Sequence, residues 1–111
     1  VEDNPVNLMI LCNLVEKDGH NVIKASNGLE AVEQFNAEVI DLVFMDCQMP
    51  VMDGYEATRL IRETSNSIPI VAVTANAQES DRKLCFDSGM NDFIPKPIKK
   101  GIIHDVISKW A

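Results

Sequence analysis

Apolar residues recur at Val6, Met9, Ile10, Cys12, Leu14 and Val15, a helical spacing that stops at Gly19. Asn4-Pro5 ahead of them is a helix start: a capping side chain, then a proline in the first turn, where an N–H would lack a partner anyway. Residues 21–25 carry Val22 and Ile23, are closed by the turn dipeptide Asn27-Gly28, and predict a short strand. Residues 29–36 predict a helix with Ala31, Val32 and Phe35 on one face. The unbroken apolar run 42–45 predicts a strand buried on both faces, and it ends abruptly at Asp46. After Asp53-Gly54 comes an amphipathic helix, with Ala57, Leu60 and Ile61 inward and Arg59, Arg62 and Glu63 outward. Residues 68–73 form a second buried run ending in Thr74, and a polar helix over 79–87 follows. Phe93-Ile94 is a last short strand before Pro95-Lys96-Pro97, and Ile102, Ile103, Val106, Ile107 and Trp110 mark a closing helix.

Strands alternating with helices at short intervals predict an α/β fold, a parallel sheet with helices on both faces. Ligands of such sheets bind at the carboxyl ends of the strands. Those ends collect Glu2 and Asp3 after Val1, then Asp46, Thr74 and Lys96. Any one acid there is explained as a turn former or helix cap; the coincidence of three on one rim is not. Three carboxylates close together repel unless a cation neutralises them. Oxygen ligands without His or Cys suit a hard cation, and a sparse set suits Mg²⁺, which meets phosphate. Thr74 and Lys96 supply a hydroxyl and a positive charge for phosphoryl oxygens. Asp46 is then the candidate nucleophile, with an aspartyl phosphate as its product.

Charge and composition narrow the classes. The chain has 111 residues, 10 basic against 17 acidic, a net charge of −7, and 46% hydrophobic residues. That describes one globular domain with a core of its own. The acidic balance excludes a nucleic-acid-binding module, which needs a basic face. No apolar run reaches the length of a membrane span, and no signal peptide is present. Cys12, Cys47 and Cys85 lack metal-binding spacing and read as small apolar residues in a reducing compartment. His20 and His104 have no second ligand at metal-binding spacing. The first residue is Val1 rather than an initiator Met, so the chain is expected to be cut from something longer.

Four segments in order carry a family resemblance: VEDNPVN, LVFMDCQMPVMDG, PIVAVTA and GMNDFIPKPI. With them, the chain resembles the receiver domain of two-component response regulators, and is most similar to the receivers of hybrid sensor histidine kinases. The resemblance implies a flavodoxin-like, doubly wound five-stranded parallel sheet in the order 2-1-3-4-5. The strand-end rule was framed on folds of this kind, so its agreement adds no independent weight. Only Val1 stands where receivers carry several apolar residues, so a receiver over 1–111 is expected to be N-terminally truncated, its first strand largely missing.

Residue by residue, the resemblance makes Asp46 the phosphoacceptor. Asp3, Asp46 and the backbone carbonyl of Gln48 become Mg²⁺ ligands, with Glu2 acting through water. Thr74 and Lys96 take the switch and phosphate-pairing roles, Phe93 is the rotating aromatic, and Lys96-Pro97 is a cis peptide. Gln48 and Asn76 tune phosphate loss. Asn7, Leu8 and Leu11, on the first helix, form a docking face for a histidine-bearing helix. The implied partner is a histidine kinase or histidine phosphotransfer domain, without direct nucleic-acid or membrane contact. The implied place is the cytoplasm, which is compatible with a membrane-anchored parent. Two departures stand out: Glu2 replaces an Asp, and Phe93 lacks a tyrosine hydroxyl.

Three other readings fit less well. An aspartate-nucleophile phosphatase wants a second Asp two residues after the nucleophile, where Gln48 stands. A flavin binder wants a Ser/Thr/Gly-rich loop after the first strand. A pseudo-receiver would be expected to have lost Asp46, Lys96 or the acidic pair.

Overall fold

The structure, a computed structural model, describes residues 1–47, 52–65, 67–74, 79–96 and 98–110, with the backbone alone for 79–81. Its elements in chain order are α1 (Pro5–Lys17), α2 (Gly28–Ala37), β1 (Val43–Asp46), α3 (Gly54–Thr64), β2 (Ile70–Thr74), α4 (Glu79–Ser88), β3 (Asp92–Pro95) and α5 (Lys100–Trp110). β1, β2 and β3 form one parallel sheet in that order, with Asp46 opposite Val73 and Thr74 opposite Pro95.

The two apolar runs become strands because both of their faces are covered. Val43, Met45, Ile70 and Ala72 point to one side and pack with Ala31, Ala57 and Ile61 of α2 and α3. Val71, Val73 and Ile94 point to the other and pack with Leu11 of α1 and Ile103, Val106 and Ile107 of α5. This is the period-two alternation of a strand with a helical layer on each side. β2, in the middle, is buried at all five positions.

The helix starts follow from side chains the sequence supplies. Asn4 accepts hydrogen bonds from the Val6 and Asn7 amides, Asn27 from Glu30 N and Asp53 from Glu56 N, each satisfying an N–H that a first turn leaves unpaired. Arg62, near the end of α3, donates to the carbonyls of Gly89, Ser65 and Ile68 and to Asn91 Oδ1. Asn91 Oδ1 also accepts from Ile70 N, so one guanidinium pins the entries to β2 and β3.

Residues 21–25 differ from expectation: no ladder forms there and no strand is assigned. A strand needs a neighbour, and in the expected order this segment pairs only with the first strand. The residue that stands beside β1 there is Val1. Val1 donates its amino N–H to Phe44 O and accepts from Asp46 N at 3.1 Å, while Glu2 N donates to Ala25 O at 3.1 Å. The amino end thus lies between β1 and residue 25, where strand 1 of the expected order belongs. Beside it an apolar cleft of about 440 Å³ runs between β1 and residues 21–25. No helix among the described residues is long and apolar enough to cross a membrane.

Candidate functional site

The carboxyl ends of β1 and β2, the turn after β3 and the residues before α1 meet on one rim. Asp46 closes β1, Thr74 closes β2, and Lys96 follows β3, with Lys96 N donating to Thr74 O at 2.8 Å. Glu2 and Asp3 arrive because Val1 is paired to β1 and Asn4 starts α1 immediately afterwards. Carboxylate oxygens of Glu2, Asp3 and Asp46 lie within 4.8 Å of one another. Glu2 and Asp46 are buried, 2% and 3% exposed, and Asp3 is open to solvent.

Lys96 Nζ sits between the two buried acids, 3.0 Å from Glu2 Oε1 and 3.1 Å from Asp46 Oδ2. Burial works against the ammonium, but its bonds to Glu2 and Asp46 outweigh that and hold its pKa above the ordinary lysine value. Glu2 Oε2 is buried with no hydrogen-bond partner among the described residues. A buried, unsatisfied carboxylate oxygen is costly unless something else answers it. Among the described residues, the three carboxylates outnumber the Lys96 ammonium set between them. An all-oxygen donor set with that deficit fits a hard divalent cation.

The backbone behind Asp46 is closely packed. A Cβ on Gly54 would stand 2.1 Å from the Asp46 carbonyl oxygen, and Gly54 N donates to Cys47 O at 3.2 Å. Only glycine allows α3 to begin against this peptide. Cys47 Sγ and Cys85 Sγ touch at 3.6 Å in the core beneath. Burial, reinforced by Cys85, pushes the Cys47 thiol up to about 12, and burial likewise raises Tyr55, which bonds Cys47.

Glu2, Asp3, Asp46, Thr74 and Lys96 are therefore brought to one rim. Phe93 lies one strand over, half-buried, with the Arg82 guanidinium carbon 4.6 Å from its ring centroid. Gln48, Asn76 and Pro97 lie outside the described residues. The docking face needs one correction: Leu11 is 4% exposed and belongs to the core, because α1 turns it toward Val71 and Val73. Leu8 is half-buried and lines the apolar cleft. The exposed apolar residues of α1 are Val6, Met9 and Ile10, and Ile10 lines a small cavity with Asn7, Lys96 and Ile98.

A cluster the sequence did not announce lies at the far end of α1. Asp18 accepts from His104 Nδ1 at 2.7 Å and from His20 Nε2 at 3.2 Å, joining α1 to α5. Neither histidine has a sequence signal, because the partners are brought together only by folding.

Comparison with known proteins gives a consistent result. The family described as response regulator receiver domain matches residues 1–108. Sensor protein GacS of Pseudomonas syringae pv. syringae is 41% identical over all of this chain, and the chain spans 13% of that protein's length. The receiver domain of sensor histidine kinase PA1611 from Pseudomonas aeruginosa PAO1 has magnesium coordinated in its active-site cleft. It superposes with a TM-score of 0.92 at 39% identity, covering 99% of this chain and 92% of that one. The co-crystal structure of the Saccharomyces cerevisiae phosphotransfer protein Ypd1 and the Ssk1 receiver domain matches with a TM-score of 0.92 at 32% identity. That match covers 98% of this chain and 83% of the other.

Proposed function

This chain belongs to the response regulator receiver domain family, and on that footing we propose that it receives a phosphoryl group at Asp46 in a two-component phosphorelay. The convergence of Glu2, Asp3 and Asp46 around the Lys96 ammonium carries the reading. An Asp46 carboxylate oxygen attacks the phosphorus of a phosphohistidine on the partner. The new O–P bond forms as the P–N bond breaks, and the imidazole leaves with the electron pair and takes a proton. Lys96, already 3.1 Å from Asp46 Oδ2, pairs with an oxygen of the transferred group, and the Thr74 hydroxyl donates to another. Asp3 and Asp46 would hold Mg²⁺ directly, with Glu2 acting through water and the Gln48 carbonyl as the further ligand that the family resemblance implies. When bound, the ion neutralises charge that develops on the phosphoryl oxygens.

Drawing Thr74 and Lys96 toward the phosphoryl group opens room that the Phe93 ring turns to fill, at the cost of its contact with Arg82. That change biases a two-state surface on α4, β3 and α5. The donor is a histidine kinase or histidine phosphotransfer domain whose helix packs on Val6, Met9 and Ile10 of α1, beside Asn7 and Lys96. The module works in the cytoplasm, where a kinase has ATP.

Acetyl phosphate with MgCl₂, read by intact mass, tests the assignment. The chain gains one phosphoryl group, chelation of Mg²⁺ prevents the gain, and Asp46→Asn abolishes it. An Asp46→Asn protein that still became phosphorylated would overturn the reading.

A further inference from the structure

Cys47 and Cys85 come from β1's exit and from α4, 38 residues apart, and their sulfurs touch at 3.6 Å. Both thiols are free and each is 1% exposed. A disulfide needs sulfurs at ~2.05 Å, so about 1.5 Å of approach separates contact from bond. We propose that this pair is an oxidative modification site: a small hydroperoxide converts it to a Cys47–Cys85 disulfide, which slows phosphorylation of the adjacent Asp46. The second half of the proposal rests on Asp46 being the phosphoacceptor.

The chemistry balances. One thiol sulfur attacks a peroxide oxygen, the O–O bond breaks, and a sulfenic acid and one water form. The second sulfur then attacks the sulfenic sulfur, the S–S bond forms, and hydroxide leaves with the thiol proton as a second water. Two thiols lose two electrons and two protons, and hydrogen peroxide becomes two waters. Burial selects the oxidant. A tripeptide disulfide must first build a bulky mixed disulfide in a core without room for it, whereas peroxide is little larger than water. Burial of both sulfurs also limits access of the oxidant, so the reaction is slow and the site responds to sustained oxidant rather than to a pulse.

The coupling to Asp46 follows from what holds Cys47. Its N–H donates to Val73 O and its carbonyl accepts from Gly54 N, each at 3.2 Å, while Gly54 abuts the Asp46 carbonyl. Drawing Cys47 Sγ toward α4 therefore loads the peptide that carries the phosphoacceptor. A misplacement on the order of 1 Å in a reacting group can cost about 10²-fold in rate. The bond also ties α4 to the sheet, restraining a helix of the proposed switching surface.

Reduced protein is incubated with hydrogen peroxide, quenched with catalase and split into two portions. One is alkylated and mapped without reduction; the other is given acetyl phosphate and MgCl₂. The expected map shows a Cys47–Cys85 cross-linked peptide, with Cys12 outside it. Phosphoryl uptake is expected to slow at least fivefold, to recover after dithiothreitol, and to be unaffected by peroxide in Cys85→Ser and Cys85→Ala. Glutathione disulfide is expected to give no cross-link. Free Cys47 and Cys85 after peroxide would overturn the proposal, as would a cross-link that leaves the uptake rate unchanged. Failure of untreated protein to take up phosphate would instead defeat the Asp46 reading, and the map would still decide the disulfide.

Discussion

The Lys96 ammonium lies 3.1 Å from Asp46 Oδ2, across 50 residues of chain. The same ammonium is 3.0 Å from Glu2 Oε1, so it occupies the charge position that a divalent cation would share. Lys96→Met is therefore expected to act in two directions. Mg²⁺ should bind about tenfold more tightly, since a repulsion of about 1–2 kcal/mol is removed at this partly exposed position. Phosphoryl uptake should fall by about 10²-fold, because a charge aimed at the transferred group is lost. Titration calorimetry with MgCl₂ reads the first and acetyl phosphate labelling the second.

Gly54 and Gly101 should respond oppositely to alanine. At Gly54 the added Cβ meets the Asp46 carbonyl at 2.1 Å, and that neighbour is backbone that cannot swing away. Gly54→Ala is expected to lose about 1–3 kcal/mol or more and to slow phosphorylation. At Gly101, on α5, a Cβ meets nothing within 4 Å, and Gly101→Ala should gain about 0.4–1 kcal/mol. Urea denaturation of the two variants checks both signs.

Arg62→Ala is expected to cost about 2–4 kcal/mol, because the carbonyls of Gly89 and Ile68 and the Asn91 side chain lose a charged donor together. Arg62→Lys should recover only part of this, since an ammonium cannot span the fork. The measurement is the urea midpoint at constant slope.

The Asp18–His104 link predicts a pH-dependent difference between wild type and His104→Gln. The hydrogen bond to Asp18 raises His104 above 6.5. Its contribution is therefore complete below pH 6.5 and disappears as pH rises through the folded value. The bond from His104 lowers Asp18 below 3.8, so that contribution is present above pH 3.8 and disappears as pH falls through the folded value. The gap in melting temperature should be widest between those limits and close toward pH 9, with His104 solvent-exposed, Asp18 half-buried and the effect reduced by salt.

Legibility in the sequence followed distance along the chain. Asp46, Thr74 and Lys96 could be read because each ends an apolar run or strand, and the rule that ligands gather at strand ends joins them without coordinates. The cap at Asn4 was equally local. Residues 21–25 could not be settled that way: their pattern is that of a strand, but a ladder depends on a neighbour supplied elsewhere. The helix spacing of Leu11 does not say which arc faces the sheet, and folding placed it inside. Cys47 with Cys85, Arg62 with Asn91 and Asp18 with His104 are separated by 38, 29 and 86 residues, and no local signal marks any of them.

Three backbone hydrogen bonds hold the amino end in place: Val1 N to Phe44 O, Asp46 N to Val1 O and Glu2 N to Ala25 O. They are also what keeps Glu2 and Asp3 at the rim, so release of Val1 from β1 withdraws two of the three acids at once. Metal affinity is thereby linked to a local unfolding event whose reporter sits on the neighbouring strand. The Asp46 amide faces Val1, while those of Val43 and Cys47 face the other edge of β1, toward Pro69 and Val73. Deuterium should enter Asp46 N–H each time the latch lifts, leave its two flanking reporters protected, and slow when Mg²⁺ holds the acids together.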